Sequence, residues 1–521
     1  MSRALFKATS LVGGMTLISR ILGFARDMVL ARYFGAGTVM DAFFVAFKIP
    51  NFMRRTFGEG AFSLAFVPVI SEYKTTRQHQ EVRELADRVA GNLGLVLLGI
   101  TAVGVIAAPV LVWIFAPGFS DDLSKYQLTV SMVRVTFPYL LFISLTAFAG
   151  GILNTYGRFG VPAFTPVLLN VVMIAAAVWL APHFANPGMA LAWGVFIAGA
   201  LQLLFQVPFL LRLKLMPRPR LARGHEAVRR IMKLMLPALF GSSVSQINMV
   251  VDTLIASFLA TGSISWLYYS DRLMEFPLGV FSIALGTVIL PTMAQHFAAK
   301  SDAGYSATLD WALRLTAVVV VPAAVGLLCL AGPVLVTLFN YGRFNALDAR
   351  MATASLSAYA FGLLGFTLVK VLAPGFYARQ DTRTPVRIGV ISVIANIVLN
   401  LLITVPWAMS GLRAPHAGLA LATSLAAFIN AGLLYRGLRR LGIYIPVPGW
   451  RPLVWRVVAA NLVMGTLLWL GSGRLDTWLT RNALQRGLWL AFWIALAMAV
   501  YFLVLFACGF RLRHLRRASA A

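Results

Sequence analysis

The stretch Ile18-Ser-Arg-Ile-Leu-Gly-Phe-Ala-Arg-Asp27 lies inside an apolar run that is long enough to cross a membrane, and yet it carries three formal charges. The whole chain has the same apolar character. Of its 521 residues, 59% are hydrophobic and 12% are charged, whereas a soluble domain is about 25% charged. The mean hydropathy is +0.80. This composition predicts an integral membrane protein, so the charges inside the run need an explanation.

Apolar runs of about 20 residues or more predict an all-α membrane protein with fourteen transmembrane helices. The predicted spans are 8–34, 38–70, 89–116, 129–155, 160–182, 187–211, 232–260, 264–297, 307–339, 351–378, 386–409, 415–435, 453–472 and 486–510. An even number of spans places both termini on one side. Of the 45 Lys and Arg, 28 then fall in loops and tails on that side and seven on the other. The positive-inside rule makes that side the cytoplasm, and this bias explains most of the net charge of +27 without nucleic acid.

An internal repeat divides the spans into two related lobes. Residues 27–37 resemble residues 252–262 at an offset of 225, and Val67-Pro68 recurs as Leu290-Pro291 at an offset of 223. Each lobe has six spans and therefore the same orientation, which predicts a parallel repeat. We predict an N-terminal lobe at 1–211, a basic cytoplasmic linker at 212–231 that contacts anionic headgroups, a C-terminal lobe at 232–440, and an addition at 441–521 with two spans and a basic tail.

Charged residues inside the spans gather on those that begin at 8, 38 and 264. Each such charge costs about 2.5–3.5 kcal/mol at the bilayer centre, so it needs a compensating role. A cationic cavity between the lobes, with arginines that donate paired hydrogen bonds to phosphate, would supply that role. Structural ion pairs between helices, such as Arg26 with Asp41, are the alternative. The residues are Arg20, Arg26, Asp27, Asp41, Lys48, Arg54, Arg55, Glu59, Asp271, Arg272 and Glu275.

Two further expectations concern single side chains. Arg20 and Arg26 lie about 240° apart on a straight helix, so a bend near Gly23 is needed to bring both to one cavity. Arg314 is expected to extend to the membrane interface.

A second group of residues is a candidate cation site. Asp252 on span 7, with Asn396 and Asn400 four residues apart on span 11, could hold Na⁺ or relay H⁺. Hydrogen bonding between helices is the alternative reading. The chain has no phosphate loop of the Gly-x-x-x-x-Gly-Lys type and no His–Glu metal motif, so we expect a transporter without a cofactor and not an enzyme.

Several long motifs resemble the MurJ/MviN lipid II flippase family of the MOP exporter superfamily. The resemblance runs from end to end of the chain. The motifs are at 19–27, 41–51, 54–55, 59–62, 66–68, 268–277 and 371–377.

The resemblance implies a function and a set of site residues. The protein would move lipid II, an undecaprenyl-diphosphate-linked peptidoglycan precursor, from the inner to the outer leaflet of the bacterial cytoplasmic membrane by alternating access. Spans 13 and 14 would shape a hydrophobic groove for the lipid tail. The family's cavity arginines correspond to Arg20, Arg26, Arg54 and Arg272, and its gate partners to Asp41 and Glu275. The remaining ion-pair candidates of the same cluster are Asp27, Arg55, Glu59 and Asp271.

The expected partners are lipid II, membrane phospholipids and proteins of cell-wall synthesis or division. We expect a monomer with cytoplasmic termini, coupled to the membrane potential, Na⁺ or H⁺. Four alternatives stay open. A flippase for another lipid-linked oligosaccharide would share the arginines but not the motifs, and a multidrug exporter would need an acidic or aromatic cavity. The other two are an enzyme of lipid-linked sugar chemistry and a scaffold for cell-wall enzymes.

Overall fold

The computed structural model describes residues 3–56, 62–221 and 225–511. Within these ranges the regular secondary structure is helical, which confirms the predicted all-α membrane fold. Ten helical segments of the described chain are long and apolar enough to cross a membrane. The other four predicted spans, 8–34, 38–70, 232–260 and 264–297, are also helical in their described parts. The spans that begin at 8, 38 and 264 carry most of the charged residues predicted to lie inside the membrane.

The helices of the first half range from long spans to short pieces. They are α1 (Arg3–Phe34), α2 (Thr38–Met53), α3 (Ser63–Thr76), α4 (His79–Ile106), α5 (Ala108–Phe115), α6 (Leu123–Thr136), α7 (Tyr139–Thr155), α8 (Gly160–Ala175), α9 (Gly188–Arg212) and α10 (Glu226–Ser257). Short 3₁₀ turns occupy Pro117–Asp121 and Ala181–His183, and a π-helical turn, Ala176–Leu180, extends α8.

The second half also contains long and short helices, and it ends with an additional helical pair. Its helices are α11 (Ser263–Ala298), α12 (Asp302–Cys329), α13 (Ala331–Phe339), α14 (Ala346–Leu372), α15 (Pro374–Tyr377), α16 (Arg383–Leu399), α17 (Val405–Met409), α18 (His416–Arg440), α19 (Trp450–Gly471), α20 (Leu475–Leu479) and α21 (Ala483–Ala507). A π-helical turn at Asn400–Thr404 follows α16.

The repeat predicted from short motifs extends to the helix boundaries. Helices α12 and α13 begin 223 positions after α4 and α5. The two π-helical turns are 224 positions apart. Single π-helical turns are rare in proteins. Their recurrence at equivalent positions therefore supports two copies of one helical plan.

Contacts divide the chain into two compact units, residues 1–265 and 266–521. In the first unit α1 packs along α8, α7 along α9, and α2 along α6. Helix α10 belongs to the second copy of the sequence repeat but packs against α3, and for this reason the first unit extends to Ser265. The sequence repeat and the contacts thus divide the chain at different places.

In the second unit α14 packs against α18 at small residues. A Cβ added to Gly362 would lie 2.2 Å from the Ser424 Oγ, so only glycine permits this approach. Close approach at small residues is the usual basis of helix packing in membranes. Helix α12 packs against α14 on one side and α19 on the other, and α19 packs against α21. The additional pair of spans is therefore held by α12.

A buried carboxylate fastens the segment before α19 to α12. The Asp310 Oδ1 accepts hydrogen bonds from the Tyr444 hydroxyl (2.8 Å) and the Trp450 indole (2.7 Å). Its Oδ2 accepts from the Arg314 Nε at 2.6 Å, and Arg314 also donates to the carbonyls of Val447 and Pro448. Asp310 lies one turn from Arg314 on the same helix, so their ion pair follows from the spacing. The extension of Arg314 to the membrane interface stays a prediction.

Candidate functional site

The charges of the opening stretch form a local cluster within the first unit. The Nε and Nη2 of Arg26 donate to the Asp27 Oδ1 at 3.0 and 2.7 Å, and its Nη1 donates to the Asn170 Oδ1 at 3.1 Å. Arg26 is 5% exposed and Asp27 1%. The amide of Asn170 in turn donates to the Ser19 carbonyl at 3.0 Å. The cluster therefore joins α1 to α8 and compensates both charges inside the protein.

Two details differ from the sequence-based expectation. Arg26 pairs with Asp27 on its own helix instead of with Asp41. Helix α1 continues without a break through Gly23, and Arg20 is exposed whereas Arg26 is buried. A Cβ at Gly23 would lie 3.5 Å from the Asn170 amide nitrogen, an ordinary van der Waals distance, so α8 packs beside α1 at this glycine. Sequence reasoning missed Asn170, which is 144 positions from Arg26.

Asp41 forms a second buried cluster at the start of α2. Its Oδ2 accepts from the Lys125 Nζ at 3.0 Å and from the Gly262 backbone N–H at 2.7 Å. Its Oδ1 accepts from the backbone N–H of Ser265 at 3.0 Å and from the Ser265 hydroxyl at 2.7 Å. Asp41 is 1% exposed and Lys125 4%. One carboxylate thus holds together α2, the start of α6 and the turn before α11 (residues 262–265, which include the first three residues of α11).

Lys125 was not among the predicted site residues. Its place in a loop between two spans gave it the appearance of an ordinary external charge. In the structure its ammonium group also lies 4.2 Å from the centre of the Phe119 ring, a cation–π contact. Lys125 and Asp41 are 84 positions apart, and no local spacing connects them.

The remaining charges of α2 have separate contacts. The Lys48 Nζ donates to the Thr253 hydroxyl at 2.8 Å, which joins α2 to α10. The Arg54 Nε donates to the Asn51 side chain at 2.9 Å, and Arg55 is exposed. The predicted residue Glu59 lies outside the described residues.

The charges of α11 lie in the second unit. The Arg272 Nη1 donates to the Glu275 Oε2 at 2.8 Å, and its guanidinium carbon lies 5.5 Å from the Tyr268 ring centre. Both side chains of the ion pair remain partly exposed. Asp271 is half-buried on the same helix. The spacing of three residues between Arg272 and Glu275 is what places them in contact.

The candidate cation ligands occupy both units. Asp252 is half-buried on α10 of the first unit. In the second unit the Asn400 amide donates to the Asn396 Oδ1 at 3.1 Å, and the Asn396 amide donates to the Thr423 hydroxyl at 3.1 Å. Asn400 begins the π-helical turn after α16. The two asparagines thus form a hydrogen-bonded pair between α16 and α18.

An apolar groove of about 740 Å³ lies on the second unit. Its walls come from α12, α14, α18 and α19 and from the segment that Asp310 fastens, and they include Leu313, Leu368, Phe428, Tyr444, Trp450 and Val457. The resemblance predicted a tail groove shaped by both added spans, and α19 contributes to this one. Burial and the hydrogen bond to Asp310 raise the pKa of Tyr444, so its hydroxyl remains a donor.

Repeated bundles of membrane helices, with charge clusters on α1, α2 and α11 and an apolar groove, define a membrane transporter of the exporter type. A sequence model of the family "Lipid II flippase MurJ" matches residues 30–488. The chain belongs to this family, and it is a multi-pass protein of the bacterial inner membrane.

Similar proteins match over nearly the full length. The "Probable lipid II flippase MurJ" of Vibrio cholerae is 47% identical, with 99% of both chains covered. The "Lipid II flippase MurJ" of Burkholderia cenocepacia is 43% identical at the same coverage. A solved structure described as "Lipid II flippase MurJ, inward closed conformation" has a TM-score of 0.79 and 27% identity, and the match covers 95% of this chain and 97% of that one.

An inward-facing multidrug MATE transporter of the MOP superfamily has a TM-score of 0.64 and 14% identity. That match covers 85% of this chain and 99% of the other. At this identity the likeness shows a common fold. It agrees with the superfamily predicted from the sequence motifs.

Proposed function

We propose that this protein moves lipid II from the inner to the outer leaflet of the cytoplasmic membrane by alternating access. The observation that carries the proposal is the match along essentially the entire chain to proteins named as lipid II flippases. The positive-inside distribution of Lys and Arg supports cytoplasmic termini. We further propose a monomer whose lipid partners are lipid II and the surrounding phospholipids, with cell-wall synthesis or division proteins as its protein partners.

The arginines are proposed to bind the diphosphate of the headgroup. Arg26 is the most informative of them, because its Nε and Nη2 already donate together to one carboxylate oxygen, and the same two donors can bind a phosphate. An entering diphosphate would compete with Asp27 for this guanidinium. Arg20, Arg54 and Arg272 are proposed to make further contacts with the anion during transport, and Arg55, Glu59, Asp271 and Glu275 to form exchangeable ion pairs.

Asp41 is proposed to act as a gate residue. Its carboxylate holds three elements that are distant in sequence, and each of its four hydrogen-bond donors must be released before these elements separate. Such a cluster has two stable arrangements, closed or fully parted, as alternating access requires.

The apolar groove of the second unit is proposed to accept part of the polyprenyl tail. A tail that leaves bilayer hydrocarbon for an apolar groove gains little hydrophobic free energy, because lipid is as apolar as the groove. The groove would therefore orient the tail by shape and contribute little affinity. The binding free energy would come from the headgroup.

Coupling is proposed to involve the membrane potential. A diphosphate that moves outward across an inside-negative membrane gains about 2.3 kcal/mol per charge per 100 mV. A contribution of Na⁺ or H⁺ at Asp252, Asn396 and Asn400 is a separate proposal.

The test is complementation of bacteria depleted of their own lipid II flippase, with lipid II accessibility at the outer leaflet as the readout. The chain is expected to restore both growth and accessibility. Arg26→Ala is expected to fail, and Arg26→Lys to restore only part, because lysine keeps the charge but loses the fork. Arg474→Ala, at an exposed position, is the control for a lost charge. A chain present at normal amounts in the membrane without restored accessibility would contradict the proposal.

A further inference from the structure

Another apolar cavity lies wholly within the first unit and away from the charge clusters described above. Its volume is about 760 Å³, within the range of pockets that bury small ligands. The walls come from α1, α8, α9 and the turn between α7 and α8, and they include Leu11, Met15, Val161, Phe164, Phe205 and Phe209. A cavity of this size with aliphatic and aromatic walls suits an acyl chain.

Two arginines join this apolar lining. Arg158 precedes α8 and Arg212 ends α9, and both are exposed. Among the residues that the structure describes, neither has a carboxylate within 4 Å. The guanidinium carbon of Arg212 lies 5.7 Å from the centre of the Phe209 ring, so the charge sits on the cavity wall. Two uncompensated cations at an apolar cavity complement an anion that carries a hydrocarbon chain.

The turn that carries Arg158 is held in place by its backbone. Gly157 adopts a φ of +75°, and the Arg158 N–H donates to the Leu153 carbonyl at 2.8 Å, which closes the end of α7. The Lys74 Nζ donates to the Thr155 carbonyl at 2.7 Å in the same turn. On the other wall, a Cβ at Gly160 would lie 2.8 Å from a methyl group of Leu11, so α1 approaches α8 closely there. The cavity is therefore built by ordered elements.

We propose that this cavity binds one anionic phospholipid of the cytoplasmic leaflet. One acyl chain lies along the apolar walls, and the phosphate lies between Arg158 and Arg212. The assignment of the leaflet rests on the orientation proposed above. Leu201 and Leu204 are exposed on α9, the helix that carries Phe205 and Phe209 of the cavity wall, and they give this helix the apolar surface of a lipid-facing span.

The bound lipid would connect the beginning of α1 to α8 and α9. Helix α1 also carries Arg20 and Arg26, and α8 carries Asn170. Occupancy of the cavity would thus stabilise the contact between the two helices that hold the Arg26 cluster. The site is separate from the residues proposed to bind the transported headgroup, so a lipid here modulates the protein without being its substrate.

The test is lipid binding to the purified full chain, measured by native mass spectrometry with phosphatidylglycerol and phosphatidylcholine of identical acyl chains. We expect one phosphatidylglycerol to be retained with about tenfold to thirtyfold higher affinity than phosphatidylcholine, since each basic residue near a charged lipid contributes about one factor of five. Arg158→Gln with Arg212→Gln should abolish this preference. The matched control, Arg229→Gln with Lys233→Gln, removes two positive charges from exposed positions of α10 and should leave the preference for phosphatidylglycerol unchanged.

A second variant tests the apolar part independently of charge. Val161→Trp places a large ring in the part of the cavity next to α8, and it should weaken the binding of both lipids at least fivefold while the purified protein keeps its melting temperature. Equal retention of the two lipids by the unmodified chain would overturn the proposal. The same holds if the control pair of substitutions lowers the preference for phosphatidylglycerol as much as the test pair does. Displacement by millimolar inorganic phosphate would instead indicate a site for the free anion. Displacement by equimolar lipid II would indicate a substrate site, and either result would refute a phospholipid site.

Discussion

The cluster around Asp41 gives the sharpest prediction, because one buried carboxylate compensates one buried ammonium. Replacement of Asp41 by Asn keeps the size of the side chain but removes its charge. Lys125 would then stay buried opposite an amide, and the backbone N–H groups of Gly262 and Ser265 would compete for a single oxygen. The variant should open the junction between α2, α6 and the turn before α11.

The magnitude follows from the burial of the pair, whose side chains are 5% and 1% exposed. Removal of one partner of a buried ion pair costs about 3–5 kcal/mol, because the other charge is left uncompensated. Lys125→Met should cost less, about 1.5–3 kcal/mol, since the Asp41 carboxylate keeps three of its donors. The double variant should be less open than the Asp41→Asn variant alone, because no buried ammonium remains.

The assay uses a thiol placed in the turn itself. Ser263 is 1% exposed, and its hydroxyl has no hydrogen-bond partner among the described residues, so Ser263→Cys should be tolerated. Cys329 and Cys508 are first replaced by Ser, which leaves a single reporter. A membrane-impermeant maleimide reacts with the buried thiol only when the turn opens, so the labelling rate measures the open fraction.

Asp41→Asn should raise the labelling rate between about a hundredfold and several thousandfold, until opening itself limits the reaction. Lys125→Met should raise it about tenfold to a hundredfold. The reasoning fails if Asp41→Asn labels within threefold of the parent. It also fails if the effects of the two single substitutions simply add in the double variant, because a contact pair must show coupling.

Three further predictions concern the linker, the added helices and the driving force. Gly91→Ala should release the backbone of residues 218–220 from α4, since a Cβ at Gly91 would lie 2.3 Å from the Arg220 carbonyl oxygen. Trypsin should then cleave after Arg220 several times faster. Gly94→Ala is the control, because there is open space around Gly94. Asp310→Ala should lower the apparent melting temperature in detergent, because it leaves the Arg314 guanidinium without its carboxylate, whereas Asp302→Ala at an exposed position should leave it unchanged. Transport in vesicles should fall when the membrane potential is collapsed by valinomycin and K⁺, and unchanged transport would show that the potential does no work on the substrate.

The fold was predictable from the sequence because membranes restrict structure so strongly. Backbone groups must be satisfied within the segment, so an apolar run of about 20 residues leaves little choice besides a helix. Helix interruptions were less predictable. The span predicted at 89–116 is broken at Ala107 into α4 and α5, and the one at 129–155 is broken at Phe137-Pro138 into α6 and α7. Proline explains both interruptions, because Pro109 is the second residue of α5 and Pro138 immediately precedes α7, but the apolar pattern alone predicts continuous spans.

The packing of the linker on α4 was also beyond sequence reasoning. The basic residues at 212–231 predict contact with headgroups, which stays a prediction. In addition, the Asp87 carboxylate accepts a hydrogen bond from the Arg218 backbone N–H at 2.7 Å, and the Asp87 carbonyl accepts one from the Arg220 N–H at 3.0 Å. Gly91 leaves the space that this backbone occupies. Asp87 and Gly91 lie one turn apart on α4, but their spacing alone does not predict that the backbone of residues 218–220 packs there.

The distance in sequence between charged partners separates two kinds of ion pair in this protein. Arg26 with Asp27, Arg272 with Glu275 and Arg314 with Asp310 are one, three and four residues apart, so each pair moves with its helix and survives a rearrangement of helices. Such pairs can be inferred from spacing alone.

The pair of Lys125 with Asp41 spans 84 positions, and Asp41 also binds Ser265, 224 positions away. Only contacts of this second kind must break when helices separate, and they are the ones that spacing does not reveal. Ion pairs within one helix lower the free-energy cost of burying their charges, and they do so at every stage of a rearrangement of the helices. The non-local cluster can instead set the free-energy difference between arrangements. Substitution of Asp41 or Lys125 should therefore change the energy barrier to opening far more than substitution of Asp27 or Glu275, although all four are charged residues on membrane helices.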